Sequence, residues 1–151
     1  MGTVSFSPAR PDDAASVHRL VRAAYEPYVE RIGREPAPMA ADYTGTIEAG
    51  HVRLARDDSQ MIGVLVCEPH PDHLLIENIA VAAEAQGNGV GALLLDEAET
   101  EARRLGLSEL RLYTNAKMTE NLAYYPRRGF RETGRRIENG YDRVYFSRHL
   151  I

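Results

Sequence analysis

Hydrophobic residues recur along this chain with two periods, and the period distinguishes strands from helices. Alternation of apolar and polar residues, as in Val4-Ser5-Phe6-Ser7, predicts a half-buried strand, whereas apolar residues three or four positions apart predict amphipathic helices. Prolines, glycines and acidic pairs mark the ends of elements. The predicted elements are, in order, a strand over 3–8, a helix over 11–24, a short helix over 28–32, a loop over 34–43 that leads to a short helix ending near residue 50, strands over 51–56, 61–68 and 74–81, a helix over 90–105, a strand over 109–113, a helix over 119–127, and strands over 130–137 and 141–149.

The order of these elements predicts a mixed α/β (α+β) fold in a single domain over residues 1–151, with a sheet of about seven strands. Tight turns should join the three strands after residue 50 into an antiparallel meander. The last of these strands, with the helix and strand that follow it, should form one right-handed crossover between parallel strands. Asn139-Gly140 predicts a C-terminal hairpin. A ligand cleft is expected where the parallel strands diverge at their carboxyl ends.

A glycine-rich turn, Gln86-Gly87-Asn88-Gly89-Val90-Gly91-Ala92, stands between a predicted strand and a predicted helix. Glycine lets a ligand approach the backbone closely, and the unpaired N–H groups at a helix N-terminus attract anions, so the turn predicts a phosphate site. The helix is amphipathic, and its apolar face is predicted to consist of Val90, Leu93, Leu94, Ala98, Ala102 and Leu105.

Three interpretations of this turn compete. A nucleotide-hydrolysing phosphate loop needs Gly-Lys-Ser/Thr, and no lysine follows any of these glycines. A dinucleotide site needs glycines at positions 1, 3 and 6 and an acidic residue at the end of the next strand, but that strand ends Tyr113-Thr114-Asn115. The third interpretation, that the glycines only shape a turn, is weakened by a second motif.

Two motifs together resemble a known family. Gln86-x-x-Gly89-x-Gly91, after a strand that ends Ile79-Ala80-Val81, resembles the acetyl-coenzyme A signature of the GNAT superfamily of N-acetyltransferases. Tyr125-x-x-x-Gly129-Phe130 resembles that family's motif at the end of the helix beside the cofactor thiol. The resemblance covers nearly the whole chain and implies a GNAT-like fold with acetyl-CoA as co-substrate.

The resemblance also implies which residues contact coenzyme A. The strand edge would pair with the pantetheine arm, and the turn would hold the pyrophosphate; the residues implied are Ile79, Ala80, Val81, Gln86, Gly87, Asn88, Gly89, Val90, Gly91 and Ala92. The family often has an asparagine two helical turns before the tyrosine, where this chain has Met118; Asn121 or Asn115 would substitute. Asn115 fits a helix-entry cap equally well, and Lys117 or an arginine of 127–136 would meet the 3′-phosphate.

Catalytic candidates follow from the same resemblance and from charge. Tyr125 sits where the family keeps the acid that protonates the leaving thiolate; its alternative is simple packing at a helix end. Glu77 lies in an otherwise apolar strand, which is costly unless it is paired or functional, so it is the candidate base; it would otherwise point to solvent or to an arginine. Asn78, expected on the opposite face, would orient the acceptor.

The acceptor is left open. By resemblance, the first two helices and the loop after them line its cleft, which brings in Tyr25, Tyr28, Glu30, Arg31, Arg34, Glu35 and Tyr43. A small amine, an amino acid or a peptide end would each suit these residues. Direct acetyl transfer through a tetrahedral intermediate is the first hypothesis, and a non-catalytic acyl-CoA sensor or protein-interaction module is the alternative.

Composition and charge narrow the classes of molecule that this protein is expected to bind. A formal charge of −4 gives no footprint for nucleic acid, and no apolar run reaches the roughly 18 residues of a membrane span. The five histidines do not fall at ligand spacing, so no metal is expected, and the single cysteine, Cys67, is expected to be a buried structural thiol. The cytoplasm is the expected location, and the family makes a homodimer possible.

Overall fold

A computed structural model describes residues 3–151, and its elements confirm the predicted mixed fold. Four short 3₁₀ turns accompany the helices, most of them at helix entries. The elements are β1 (Val4–Pro8), α1 (Ala14–Tyr25), α2 (Val29–Ile32), α3 (Tyr43–Glu48), β2 (Val52–Asp57), β3 (Gln60–Pro69), β4 (Leu74–Val81), α4 (Val90–Arg104), β5 (Glu109–Asn115), α5 (Thr119–Arg127), β6 (Arg131–Glu138) and β7 (Tyr141–His149).

The seven strands form one sheet in the order β1-β2-β3-β4-β5-β7-β6. All neighbours are antiparallel except β4 and β5, which confirms the predicted meander, crossover and closing hairpin. The parallel pairing covers only Leu74–Ile76 against Leu110–Leu112. Beyond these residues β4 and β5 separate, so the sheet opens at their carboxyl ends.

A β-bulge interrupts β4 where the two strands separate. Cys67 pairs with Ile76 and Val66 pairs with Asn78, so Glu77 is an extra residue without a partner in β3. A bulge shifts the alternation of side chains by one position. The expectation that Asn78 lies on the opposite face from Glu77 is therefore wrong, and both side chains reach the same side of the sheet.

Two hydrophobic layers cover the sheet. The α4 layer contains Ile62, Leu65, Leu74, Ile76, Leu94, Leu95, Ala98, Leu110, Leu112, Phe130, Val144 and Phe146. The α1 and α3 layer contains Val17, Val21, Tyr43, Ile47, Val52, Leu54, Val64, Val66 and Ala80. The apolar face of α4 differs from the prediction because Leu95 is buried while Leu105 is 40% exposed beyond the last helical residue.

No helix within residues 3–151 combines the length and apolar character that a membrane span requires.

Candidate active site

The N-terminus of α4 presents free backbone donors. Gly87 and Gly89 adopt φ values of 84° and 80°, a left-handed conformation that favours glycine, and this turns the chain into the helix. The helical hydrogen bonding of α4 begins with the amide of Leu93, which donates to the Gly89 carbonyl at 3.2 Å. The N–H groups of Val90, Gly91 and Ala92 precede it and point out of the helix end, where an anion is favoured. This geometry fits a pyrophosphate.

The separated strands expose one edge of β4 beside this helix end. Ile79, Ala80 and Val81 pair with β3 on one side only, because pairing with β5 ends at Ile76. Gln86 donates from Nε2 to the Val81 carbonyl at 3.2 Å, which ties the glycine-rich turn to the end of the strand. An extended amide-bearing chain, such as a pantetheine arm, fits along such an unpaired edge.

Tyr125 lies on the α4 side of the opening. Its ring packs edge-on against Phe130 at 5.7 Å and against Tyr124 at 5.3 Å, and burial raises the pKa of its hydroxyl. The neighbouring Tyr124 instead reaches α4, since a Cβ added to Gly91 would lie 3.6 Å from its hydroxyl. Tyr125 thus lies in α5, on the side of the sheet that α4 covers, and its role as an acid stays a prediction.

A chain of hydrogen bonds fixes Asn78. The Tyr25 hydroxyl donates to Oδ1 of Asn78 at 2.7 Å, and Nδ2 of Asn78 donates to the Tyr43 hydroxyl at 3.1 Å. Tyr43 in turn donates to the Pro38 carbonyl at 2.6 Å. Asn78 is only 6% exposed, so this chain satisfies a buried amide and links α1, β4 and the loop before α3.

A cavity of about 160 Å³ lies on the α1 and α3 side of the opening. Its lining is mostly apolar, with a few polar side chains, as is typical of small-molecule sites. It is lined by Pro36, Ala37, Pro38, Ala41, Tyr43, Thr46, Val66, Glu77, Asn78, Tyr113, Thr114, Asn115, Met118, Tyr141 and Arg143. We call it the acceptor cavity.

Glu77 supplies a carboxylate to the acceptor cavity. Burial, and then the neighbouring Glu68 carboxylate, raise the pKa of Glu77, while His70 opposes this shift. His70 Nε2 lies 2.6 Å from Glu68 Oε1, but the contact does not have hydrogen-bond geometry. A carboxylate with a raised pKa in a cavity is suited to accept a proton near neutral pH.

The β6–β7 hairpin closes over the acceptor cavity. The Tyr141 hydroxyl donates to the Glu35 carbonyl at 2.5 Å, and Arg34 donates from Nη1 to the Asn139 carbonyl at 3.1 Å. The Arg34 guanidinium also lies 3.9 Å from the centre of the Tyr141 ring. The loop before α3 and the hairpin thus form one wall, whose hairpin half the sequence did not predict.

Other predicted residues lie elsewhere. Tyr28 bonds Glu120 at 3.3 Å and is not among the residues that line the acceptor cavity, because α2 faces α5 instead. Asn121 donates to Thr114 Oγ1 at 3.0 Å, at the end of β5. Asn115 accepts from the Lys117 amide at 2.9 Å, in the turn before α5 rather than as the cap of that helix, and it also borders the cavity. Contacts with coenzyme A stay predictions for both asparagines.

Comparisons with known proteins identify the family. The model of the acetyltransferase (GNAT) family matches residues 15–130. Mycothiol acetyltransferase of Jonesia denitrificans is 36% identical over 73 residues, which span 48% of this chain and 23% of that protein. The chain thus matches less than half the length of the curated relatives, 23% of one and 48% of another.

Solved structures share the fold over nearly the whole chain. The PaiA N-acetyltransferase of Thermoplasma acidophilum, in complex with coenzyme A, has a TM-score of 0.81 at 16% identity and covers 98% of this chain and 99% of its own. A GNAT family acetyltransferase of Elizabethkingia anophelis with acetyl-CoA bound has a TM-score of 0.71 at 25% identity. The match covers 97% of this chain and 98% of that protein. This chain belongs to the GNAT family of acetyltransferases.

Proposed function

We propose that this protein is an N-acetyltransferase that moves the acetyl group of acetyl-CoA directly to a primary amine of a small molecule, amino acid or peptide. The observation that carries the proposal is the placement of two groups around the opening between β4 and β5. Glu77 lines the acceptor cavity on one side, and Tyr125 lies on the side of α4. An acceptor and a thioester that meet in the opening would have a base and an acid on opposite sides.

The proton transfers assign one role to each side chain. An alkyl ammonium, with a pKa of about 10.4, must lose a proton before its nitrogen can attack, and Glu77 accepts that proton directly or through water. The C–N bond forms at the thioester carbon, and the C–S bond breaks as the tetrahedral intermediate collapses. Tyr125 donates its hydroxyl proton to the leaving sulfur. The nitrogen loses its second proton to solvent as the amide forms, and Tyr125 is reprotonated from solvent.

The local environments support these roles. Burial raises the pKa of the Tyr125 hydroxyl, so it is protonated at neutral pH and available as a donor. Burial and Glu68 raise the pKa of Glu77, which strengthens it as a base relative to an exposed carboxylate.

Backbone groups would hold the donor. The amides of Val90, Gly91 and Ala92 suit the pyrophosphate, and the free edge of Ile79–Val81 suits the pantetheine arm. An amide on that edge would also polarise the thioester carbonyl. Asn78, held by Tyr25 and Tyr43, would orient the acceptor.

Direct transfer is favoured over a covalent acetyl-enzyme. The only cysteine, Cys67, is 7% exposed within the α4 layer, away from the acceptor cavity lining. Burial raises the pKa of its thiol, so little of the nucleophilic thiolate forms.

The test is release of free coenzyme A thiol from acetyl-CoA over a panel of primary amines, amino acids and short peptides, with product mass confirming N-acetylation. We expect turnover with at least one acceptor class and a strong loss in Tyr125→Phe. Coenzyme A binding without acetyl transfer to any acceptor would instead favour a sensor with the same fold.

A further inference from the structure

Arg143, on β7, brings a partly buried positive charge to the acceptor cavity. Its side chain is 13% exposed and lines the cavity together with Glu77. Its ion pair with Glu138 has an N–O separation of 3.8 Å, too long for a hydrogen bond, and among residues 3–151 the structure gives the guanidinium no hydrogen-bond acceptor. A guanidinium whose N–H groups have no protein acceptor remains available to bind an anion.

Aromatic rings hold this guanidinium in place. It lies 4.4 Å from the centre of the Tyr113 ring and 5.6 Å from that of Tyr141. Cation–π contacts of this kind stabilise the charge and restrict its orientation without using its N–H donors. Arg143 is therefore held in position while its hydrogen-bonding capacity stays available to a ligand.

The surrounding charges fit a ligand with a single negative charge. Glu138 Oε1 lies 3.8 Å from Arg143 Nη1 and 3.4 Å from Arg136 Nε, so one carboxylate is shared between two cations. These three side chains leave a net charge of about one positive unit. A carboxylate balances this charge, whereas a phosphate dianion would exceed it and would face Glu138.

Glu77 and Arg143 lie at different ends of the cavity. The strands β4, β5 and β7 are neighbours in the sheet, and Tyr113 on β5 stands between the two charged residues. Two regular strand spacings would give about 10 Å between the backbones, and the separation of β4 from β5 beyond Ile76 increases this distance. An acceptor whose amine meets Glu77 would thus reach Arg143 with a group several bonds away, past apolar walls that include Pro36 and Met118.

We propose that Arg143 binds a carboxylate of the acceptor, so that the acceptor is a primary amine with a carboxylate several bonds from its nitrogen. This inference rests on the proposed N-acetyltransferase function and specifies its acceptor. Arg143 is then the specificity-determining residue, because it discriminates a zwitterionic acceptor from a plain amine of the same length.

The experiment compares two matched series of acceptors, n-alkylamines and ω-amino acids of equal chain length, by kcat/KM in the thiol-release assay. At the best-fitting length, wild type should prefer the ω-amino acid by about 10- to 100-fold, as expected for a charge-assisted hydrogen bond. Arg143→Gln should reduce that ratio to near one, and Arg143→Lys should retain part of it, since lysine keeps the charge without the planar fork. Arg135→Gln is the matched control: Arg135, on the neighbouring strand β6, pairs with Glu132, is 53% exposed and lies outside the cavity lining, so the wild-type ratio should persist.

Equal rates for the two series in wild type, or a preference that survives Arg143→Gln, would overturn the role of Arg143 while leaving acetyl transfer to amines intact. Absence of transfer to either series and to the wider amine panel would overturn the proposed function and this inference with it. Thermal unfolding checks that the variants are folded; should Arg143→Gln not fold, the wild-type ratio and Arg143→Lys decide the matter.

Discussion

Tyr25 and Asn78 are 53 positions apart in the chain, and the Tyr25 hydroxyl donates to Asn78 Oδ1 at 2.7 Å. This bond links α1 to β4 immediately after the bulge at Glu77. On α3, the Tyr43 hydroxyl accepts a hydrogen bond from Nδ2 of the same Asn78 amide. Asn78 lines the acceptor cavity, and its orientation therefore depends on two tyrosines from outside the sheet.

Removal of this bond should destabilise the fold. Tyr25→Phe would leave Oδ1 of the buried Asn78 without its donor, and an unsatisfied buried polar atom costs about 1–3 kcal/mol. We expect a loss of that size in the free energy of unfolding measured with urea. Tyr28→Phe is the control, because its bond to Glu120 is 3.3 Å long and exposed; equal losses in the two variants would contradict the role of the Tyr25 bond.

Left-handed glycines at the α4 N-terminus should control donor affinity. Gly89→Ala places a Cβ on a residue with φ of 80°, which costs about 1–2 kcal/mol and should displace the amides that face the anion. We expect KM for acetyl-CoA to rise about tenfold while kcat changes less. Gly134→Ala, on β6 with open space around its Cβ position and no left-handed φ, serves as control. A fall in kcat with unchanged KM for acetyl-CoA would argue against this role of the α4 N-terminus.

Most of the fold could be predicted from the sequence, because strand alternation, helical spacing and the Asn139-Gly140 turn are local signals. The boundaries of β4, α5 and β7 match those predicted. Glu77 could be singled out since a carboxylate in an apolar strand is costly, and it lines the cavity.

The errors arose where one residue or a distant segment decides the geometry. A single inserted residue in β4 reverses the alternation after Glu77, and no local pattern marks it. Arg143 could not be selected because its burial depends on Tyr113 of another strand. The contact of Tyr28 with Glu120 of α5 is likewise set by a distant segment, and its role in acceptor binding stays a prediction.

Glu109 should make the stability of the sheet pH-dependent. Hydrogen bonds from Arg111 and Ser147 lower the pKa of Glu109 to about 2, and its side chain is 14% exposed. A lowered carboxyl pKa contributes stability that is fully present above the unfolded value of about 4.3 and is lost as the pH falls toward 2. Glu109→Gln should therefore lower the free energy of unfolding by about 1 kcal/mol at pH 7, and the difference from wild type should shrink in acid.

The matched control for Glu109 is Glu120→Gln. Arg31 and Thr119 also lower the pKa of Glu120 to about 2, but its side chain is 55% exposed, so solvent screens the interaction. Its substitution should change stability less than that of Glu109. Equal losses in the free energy of unfolding for the two variants at pH 7, measured by chemical unfolding, would contradict the expectation that burial strengthens the interactions of Glu109.

Tyr125→Phe should lower kcat with little effect on coenzyme A binding. The variant keeps the ring that packs against Phe130 and removes only the proton donor. General acids contribute about 10²- to 10⁴-fold, so a loss in that range is expected in steady-state assays, with the dissociation constant for coenzyme A measured by calorimetry. Unchanged turnover would remove Tyr125 from the mechanism. Tyr124→Phe tests whether any hydroxyl at this helix end suffices, and its smaller loss would assign the acid to Tyr125.

The rate should depend on pH through Glu77, and Glu68 should set the position of that dependence. A base must be deprotonated, so kcat should rise with pH through the Glu77 pKa, which burial and Glu68 hold above the ordinary carboxyl value. Glu68→Gln removes a negative neighbour, which lowers the Glu77 pKa and should move the rising limb to lower pH. Glu77→Gln should abolish this limb and reduce kcat, whereas Glu132→Gln, an exposed carboxylate on β6 paired with Arg135, should leave the profile in place. A limb that stays at the wild-type pH in Glu68→Gln, or persists in Glu77→Gln, would show that another group accepts the proton.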